Sequence, residues 1–326
     1  MQTNQNFVLA VHGGAGTIRR EMMSPEAEAQ YRLGITIALE AGHAVLSGGG
    51  SALDAVVAAV RVLEDDPLFN AGKGAVFTHE GNVELDAAVM DGSTGMAGAV
   101  AGARRIKNPV VAARRVMEAT RHVLLVGAGA DQFATEQQLE IVEPDYFHTK
   151  ARWQQLLLAK SKMQVALDHD GQTQVAAAEK FEAWKTDDKF GTVGAVALDQ
   201  QGNLAAATST GGLTNKFYGR VGDSSIIGAG TYADNATVAV SGTGVGEFFM
   251  RGVIAYDIAA RIKYLKLGLS DAVDQTLLHA LGEPGGQGGV IAIDAQGEVK
   301  FGFNTEGMYR GCIHSDGVPQ VAIYRD

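Results

Sequence analysis

Cysteine is nearly absent from this 326-residue chain: Cys312 stands alone, so no disulfide can form within it and a reducing compartment is expected. Positive charge is also short, with 27 Lys and Arg against 37 Asp and Glu for a formal charge of −10, which argues against non-specific nucleic-acid binding. No apolar run approaches the roughly 20 residues of a membrane helix; even VLLVGAGA at 123–130 soon meets Asp131. The opening MQTNQNFVLAVHGG has no basic region ahead of a long apolar stretch and no small-residue cleavage site. No signal peptide is therefore predicted, and the cytoplasm is the expected location. The eight histidines show neither H-E-x-x-H nor paired Cys/His spacing, and no G-x-S-x-G elbow occurs, so neither a catalytic zinc nor a serine elbow is expected.

What is abundant is glycine, 42 residues clustered in short motifs without a collagen-like period, which predicts tight turns and close backbone approaches. With 46% apolar residues the chain can bury a large core, as one big domain or two smaller ones. FVLAV at 7–11 reads as a buried strand running into a turn at His12-Gly13-Gly14-Ala15-Gly16. Ser24 and Ser51 read as N-caps, the first followed by Pro25 and the second by Asp54 three residues on; GGG at 48–50 separates the two helices. Leu53, Val56, Val57, Val60 and Leu63 form one apolar face of the second. Further helices are predicted from Asn108 to about 119, from 247 to 267, and from 270 to 281. Three stretches read as hairpins, at 75–87, 195–210 and 290–305, each with a glycine two residues before the second apolar run. Hairpins with helix pairs between them predict antiparallel sheets covered by helices. Residues 144–190 differ from their surroundings, being rich in Lys, Asp, Gln and His, with a short helix expected near 152–162. A plain surface linker accounts for this segment, but not for Gly191-Thr192 at its downstream edge.

Cleavage after Gly191 would give Thr192 a free α-amine two bonds from its hydroxyl, with an unperturbed pKa of about 7.7–8.0, able to act as its own general base. A lone Gly-Thr carries almost no information, so the surrounding residues decide its weight. ATSTGG at 207–212 puts Thr210 on the second strand of the same hairpin, where it can face Thr192. GRVGDS at 219–224 carries Arg220 and Asp223, a pair suited to a zwitterionic amino-acid head group, although a surface ion pair would look the same. SGTGVGE at 241–247 leads into a helix and offers donors for an oxyanion, while remaining compatible with phosphate binding or a turn. His12, after a buried strand, reads as a structural hydrogen-bonding residue.

Taken in order, HGGAG (12–16), NAGKG (70–74), LDAAVMDG (85–92), GTVGAVALD (191–199), ATSTGG, GRVGDS and SGTGVGE resemble the plant-type asparaginase and isoaspartyl peptidase family of N-terminal-nucleophile hydrolases. The resemblance covers nearly the whole chain outside 144–190. It implies an α+β fold, a four-layer αββα sandwich with two antiparallel sheets between helical layers. It implies one domain over 1–326, cut by the protein itself into 1–191 and 192–326, with 144–190 as a flexible linker. Thr192 would be the nucleophile freed after Gly191, and Thr210 its hydroxyl neighbour. Arg220, Gly222 and Asp223 would hold substrate, Thr243 and Gly244 would form the oxyanion hole, and Asn70 would lie close to the nucleophile. No cofactor is expected for catalysis. A structural sodium ion is implied in the loop of Leu63, Glu64, Asp66, Phe69, Ala71 and Lys73. Expected substrates are isoaspartyl dipeptides and L-asparagine, with neither nucleic acid nor membrane as a partner, and the expected assembly is a homodimer of αβ units. Two rival readings are a glycosylasparaginase-type amidase and, from another class, a Gly-rich anion-binding protein. For the latter, VGAGA (126–130) and GTGVG (242–246) complete neither G-x-G-x-x-G nor G-x-x-x-x-G-K-S/T.

Overall fold

The computed structural model describes residues 7–169 and 189–325. Both predicted serine caps form. The helix α1 (Pro25–Ser47) starts with Ser24 Oγ accepting the Ala27 N–H. In α2 (Ala52–Asp65) the Ser51 hydroxyl accepts the Asp54 N–H at 3.1 Å and donates to its carboxylate at 2.7 Å. Asn108 does not cap α3 (Pro109–Ala119). Its side-chain amide donates to Asp65, and the free Val110 N–H is taken by Glu64 Oε1 at 2.9 Å, so the end of α2 caps α3. The helix expected at 247–267 is two, α6 (Gly246–Gly252) and α7 (Ile254–Leu265), broken at Val253 with φ 46°. The break has a visible cause: the Ala255 and Tyr256 N–H groups donate to Ala229 O and Gly228 O. The α8 helix (Leu269–Leu281) follows as expected, and α4 spans Gly127–Glu136. Within the expected linker, α5 (Lys150–His169) is longer than predicted, and 170–188 lie outside the described residues.

Among the described residues the strands form two sheets. The larger runs β13 (Gln320–Tyr324), β12 (Gly307–His314), β1 (Val8–Gly16), β6 (Val193–Leu198), β7 (Leu204–Thr210), β2 (Leu85–Asp91), β3 (Ala97–Ala103), β4 (Leu124–Val126), with β5 (Lys189–Phe190) on β1. The smaller is β11 (Val299–Phe303), β10 (Gly288–Asp294), β9 (Val238–Gly244), β8 (Thr231–Ala233). Pairing is antiparallel except for β3 with β4. HGGAG proves to be strand rather than turn, continuing β1 through an irregularity in register between His12 and Gly14. Two predicted hairpins form, β6–β7 and β10–β11. The third reduces to a single bridge, Phe77 to Val83, because β2 goes on to pair with β3 and β7 instead. All three turns still use the predicted glycine, with φ of +82° at Gly81, +81° at Gly202 and +84° at Gly297.

Three apolar cores separate four layers. Helices α1, α2 and α3 cover one face of the larger sheet, burying Leu9, Val11, Ile35, Leu39 and Leu63. Val8, Ala10, Val196, Leu204, Ile291 and Met308 fill the space between the sheets. The α7 and α8 helices cover the smaller sheet over Val240, Phe249, Ile258 and Val273. Alternate residues of β1 thus enter different cores, which explains why FVLAV is a continuous apolar run. No helix among the described residues is long and apolar enough to cross a membrane.

A line of polar side chains crosses the space between the sheets. His12 Nε2 on β1 is 2.9 Å from Ser241 Oγ on β9, Ser241 Oγ is 2.7 Å from Thr208 Oγ1 on β7, and Thr231 Oγ1 on β8 donates to Thr208 Oγ1 at 2.7 Å. Burial lowers the His12 imidazole to about 3, so it is neutral here. Gly194 lets the line pass: a Cβ there would run into Ser241 Oγ and the His12 ring. Gly194→Ala is therefore expected to cost about 1–3 kcal/mol of stability by prising the sheets apart, read as a lowered urea midpoint; an unchanged midpoint would refute the tight fit.

Candidate active site

Thr192 immediately precedes β6, and the register of β6, β7 and β2 carries a row of side chains from Thr192 through Thr210 to Asp86. Thr192 Oγ1 donates to Thr210 Oγ1 at 3.1 Å, and Thr210 Oγ1 also accepts the Gly212 N–H at 3.0 Å. The Gly191–Thr192 peptide is continuous and lies in a gap between two stretches of ladder on β1, Phe190 pairing with Ala15 on one side and Gly194 with His12 on the other. The Gly191 carbonyl accepts the Asn70 N–H at 3.2 Å. A Cβ on Gly191 would collide with Asn70 Cβ, so only glycine fits. Asn70 is itself tied on every side: its Nδ2 donates to Gly212 O at 2.7 Å, its Oδ1 accepts from Val76 N at 2.9 Å, and its carbonyl accepts from Gly211 N at 3.0 Å.

Gly191, Thr192, Thr210, Arg220, Gly222, Asp223 and Gly244 line one small pocket. Of the other residues singled out in the sequence, Thr243 stands one position behind Gly244 on β9, fully buried, its hydroxyl without a hydrogen-bond partner among the described residues. Gly244 has φ +154° and packs where a Cβ would strike Gln287 O. Arg220 and Asp223 do not pair with each other. Arg220 is held by Glu247 in the first turn of α6, with Nε to Oε1 at 3.1 Å and Nη2 to both carboxylate oxygens at 3.0 Å. Glu247 escaped the sequence reading, although its place just after SGTGVG was a signal available there. Asp223 is buried and its Oδ2 has no partner among the described residues. Burial pushes its carboxyl up to about 7, with Glu247 and Asp86 adding to the rise and Arg220 opposing it.

A sequence model of the family described as Asparaginase matches residues 5–323. The chain belongs to that family. It is similar to the isoaspartyl peptidases of Salmonella typhimurium and Escherichia coli, each 52% identical over 319 residues, covering 98% of this chain and 99% and 96% of those proteins. It is also similar to the plant-type L-asparaginase of Pyrococcus abyssi, 42% identical over 303 residues, covering 92% of this chain and 94% of that one.

In this asparaginase-family chain the loop expected to bind a cation is built from main-chain carbonyls. No group of three or more His, Cys, Asp or Glu side chains that could hold a metal occurs among the described residues. Gly72 packs against the Glu64 carbonyl and Gly74 against those of Phe69 and Pro67, oxygen being the donor type a hard cation takes. Asp66 O and Ala71 O already accept main-chain N–H groups at 3.3 and 3.2 Å. The Lys73 ammonium lies 5.3 Å from the Tyr146 ring centroid, engaged outside such a site. The Glu64 carboxyl is occupied by Ser209 Oγ and Val110 N, and burial raises it to about 8. The loop is further fastened by the half-buried Arg152 on α5, which donates to Gly74 O at 2.7 Å and Leu68 O at 3.2 Å.

Asp223 and Glu64 both hold their protons more tightly in the folded chain than in the unfolded one. Each therefore lowers stability as pH rises from the unfolded carboxyl value toward about 7 and 8 respectively. Asp223→Asn is expected to raise the melting temperature of the ligand-free protein at pH 8 and to lose that advantage by pH 4.5. A melting difference independent of pH would show that burial does not perturb this carboxyl.

Proposed function

We propose that this chain is a self-processing threonine hydrolase that cleaves β-aspartyl peptides and the side-chain amide of L-asparagine, releasing L-aspartate. The observation that carries this reading is the placement of the Gly191–Thr192 peptide: a hydroxyl anchored at Thr210, a carbonyl already hydrogen-bonded to Asn70 N–H, and no neighbour in the ladder. In the processing step Thr192 Oγ attacks the Gly191 carbonyl carbon, the C–N bond breaks, and the acyl group passes to oxygen while the proton goes to the new amine. Water then hydrolyses the ester, leaving chains 1–191 and 192–326. The larger sheet contains strands from both sides of this bond, so the two chains stay interleaved.

In turnover the Thr192 amine takes the hydroxyl proton and Oγ attacks the β-carbonyl of the substrate. The unpartnered Thr243 hydroxyl and the Gly244 N–H receive the developing oxyanion, each such donor being worth about 2.7–4 kcal/mol of barrier. The proton passes to the departing amine, and water cleaves the β-aspartyl ester. Arg220 holds the α-carboxylate and the open oxygen of Asp223 takes the α-ammonium, whose charge returns Asp223 to its ionised form. We also place a sodium-type cation in the 63–73 loop on the carbonyls of Leu63, Glu64, Asp66, Phe69, Ala71 and Lys73. It would offset the converging dipoles and steady Asn70. We assign the enzyme to the cytoplasm on its single buried thiol and expect a dimer of cleaved units.

Denaturing mass measurement should find two polypeptides, 1–191 and 192–326, in active protein. Thr192→Ala should stay as one chain without activity on a β-aspartyl dipeptide. Full activity in an unbroken chain would overturn the reading. Both the Thr192 amine, at about 7.7–8.0 when unperturbed, and Asp223, at about 7, must be unprotonated for attack and binding. kcat/KM should therefore fall on the acid side more steeply than one ionisation allows; a slope of one would remove Asp223 from substrate binding.

A further inference from the structure

Beyond the pocket lining, the row of Thr192 and Thr210 continues to a third polar side chain. Asp86 sits opposite Thr210 in the ladder and is 1% exposed. Its Oδ1 accepts the Gly102 N–H at 2.8 Å, and its Oδ2 takes a long contact of 3.5 Å from the N–H of Gly222, midway along the Arg220–Asp223 turn. Lys216 is also buried, its ammonium donating to Glu84 O at 2.9 Å. A Cβ on Gly212 would come within 3.0 Å of Lys216 Nζ and 3.4 Å of Arg220 Nη1, so the two cations lie close to each other at Gly212, which with Arg220 lines the pocket. A buried ammonium beside a half-buried guanidinium is repelled by it and loses hydration. Lys216 feels the charges of Asp86 and of Glu84, which Arg104 also engages at 2.7 Å, and Arg220, held by Glu247, feels Asp86 as well, so Asp86 is the carboxyl the two cations share.

We propose that Asp86 and Lys216 form a buried charge pair that positions the Arg220–Asp223 turn for the substrate head group. The proposal rests on the assignment of Arg220 and Asp223 to that head group. Asp86 balances Lys216 and Arg220 and steadies Gly222, while Lys216 keeps the Asp86 charge from bearing on Asp223, which it otherwise drives toward protonation. Neither residue touches the reacting atoms; the pair governs how tightly substrate is held rather than how fast its bond breaks. Removing one partner strands a buried charge, whereas removing both strands none.

The test is a cycle of Asp86→Asn, Lys216→Met and the double variant, with kcat and KM measured on a β-aspartyl dipeptide and self-cleavage read by denaturing mass. Each single change should complete self-cleavage, raise KM about tenfold and leave kcat within about threefold, and the double variant should recover to within about threefold of the parent KM. Multiplying penalties in the double variant, a loss of kcat at constant KM, or blocked self-cleavage would overturn the pairing. If Asp86→Asn fails to fold, the comparison of Lys216→Met with the double variant still decides: the double must bind substrate more tightly, and the reverse order refutes the proposal. Arg220→Leu separates the two levels of inference. An unchanged KM in that variant overturns the head-group assignment and the pair with it. A raised KM there, with Asp86 and Lys216 variants unaffected, overturns the pair alone.

Discussion

At Gly191 the main chain passes so near Asn70 that a Cβ would overlap the asparagine's own Cβ, and the Gly191 carbonyl takes the Asn70 N–H. The approach ties the start of β6 to the loop that follows α2. Asn70 holds its place because Gly211, Gly212 and Val76 all bond to it, and the loop holds because Arg152 grips two of its carbonyls. The glycine-rich motifs are explained by this crowding: main chains meet where side chains would otherwise intervene.

Charge is arranged around the same point at an evident cost in stability. Asp223 and Asp86 are buried carboxyls with raised pKa, Lys216 is a buried ammonium with a lowered one, and Arg220 is steadied by Glu247 on one edge of its guanidinium. A chain selected only for stability would replace such groups with apolar ones. On the proposed reading of Arg220 and Asp223, they serve a pocket that desolvates a zwitterion and satisfies both of its charges.

Much of this was legible in the chain. Ser24 and Ser51 cap helices because their hydroxyls act within one turn, and the glycine turns follow from local φ demands. The four-layer arrangement agrees with what the family resemblance implied, and Gly191, Thr192, Arg220 and Asp223 line one pocket. What escaped depends on partners distant in sequence. Asn108 yields its cap to Glu64, Val253 breaks a helix because Gly228 and Ala229 claim the next N–H groups, and HGGAG becomes strand because β12 pairs along one side while β6 and β5 pair with its two ends on the other. Arg220 turned to Glu247 rather than Asp223 for the same reason: a side chain 27 residues away lay closer than one three residues away.

The hydroxyl and imidazole line from His12 through Ser241 and Thr208 to Thr231 bridges two sheets otherwise joined by a largely aliphatic core. Aliphatic surfaces resist separation but oppose sliding only weakly, since one methyl can be exchanged for the next. Directional bonds at fixed heights act like a spline in a shaft, permitting neither translation nor rotation of one layer over the other. Because Thr192 adjoins the first sheet and Gly244 lies in the second, that keyed joint sets how the two sides of the pocket line up.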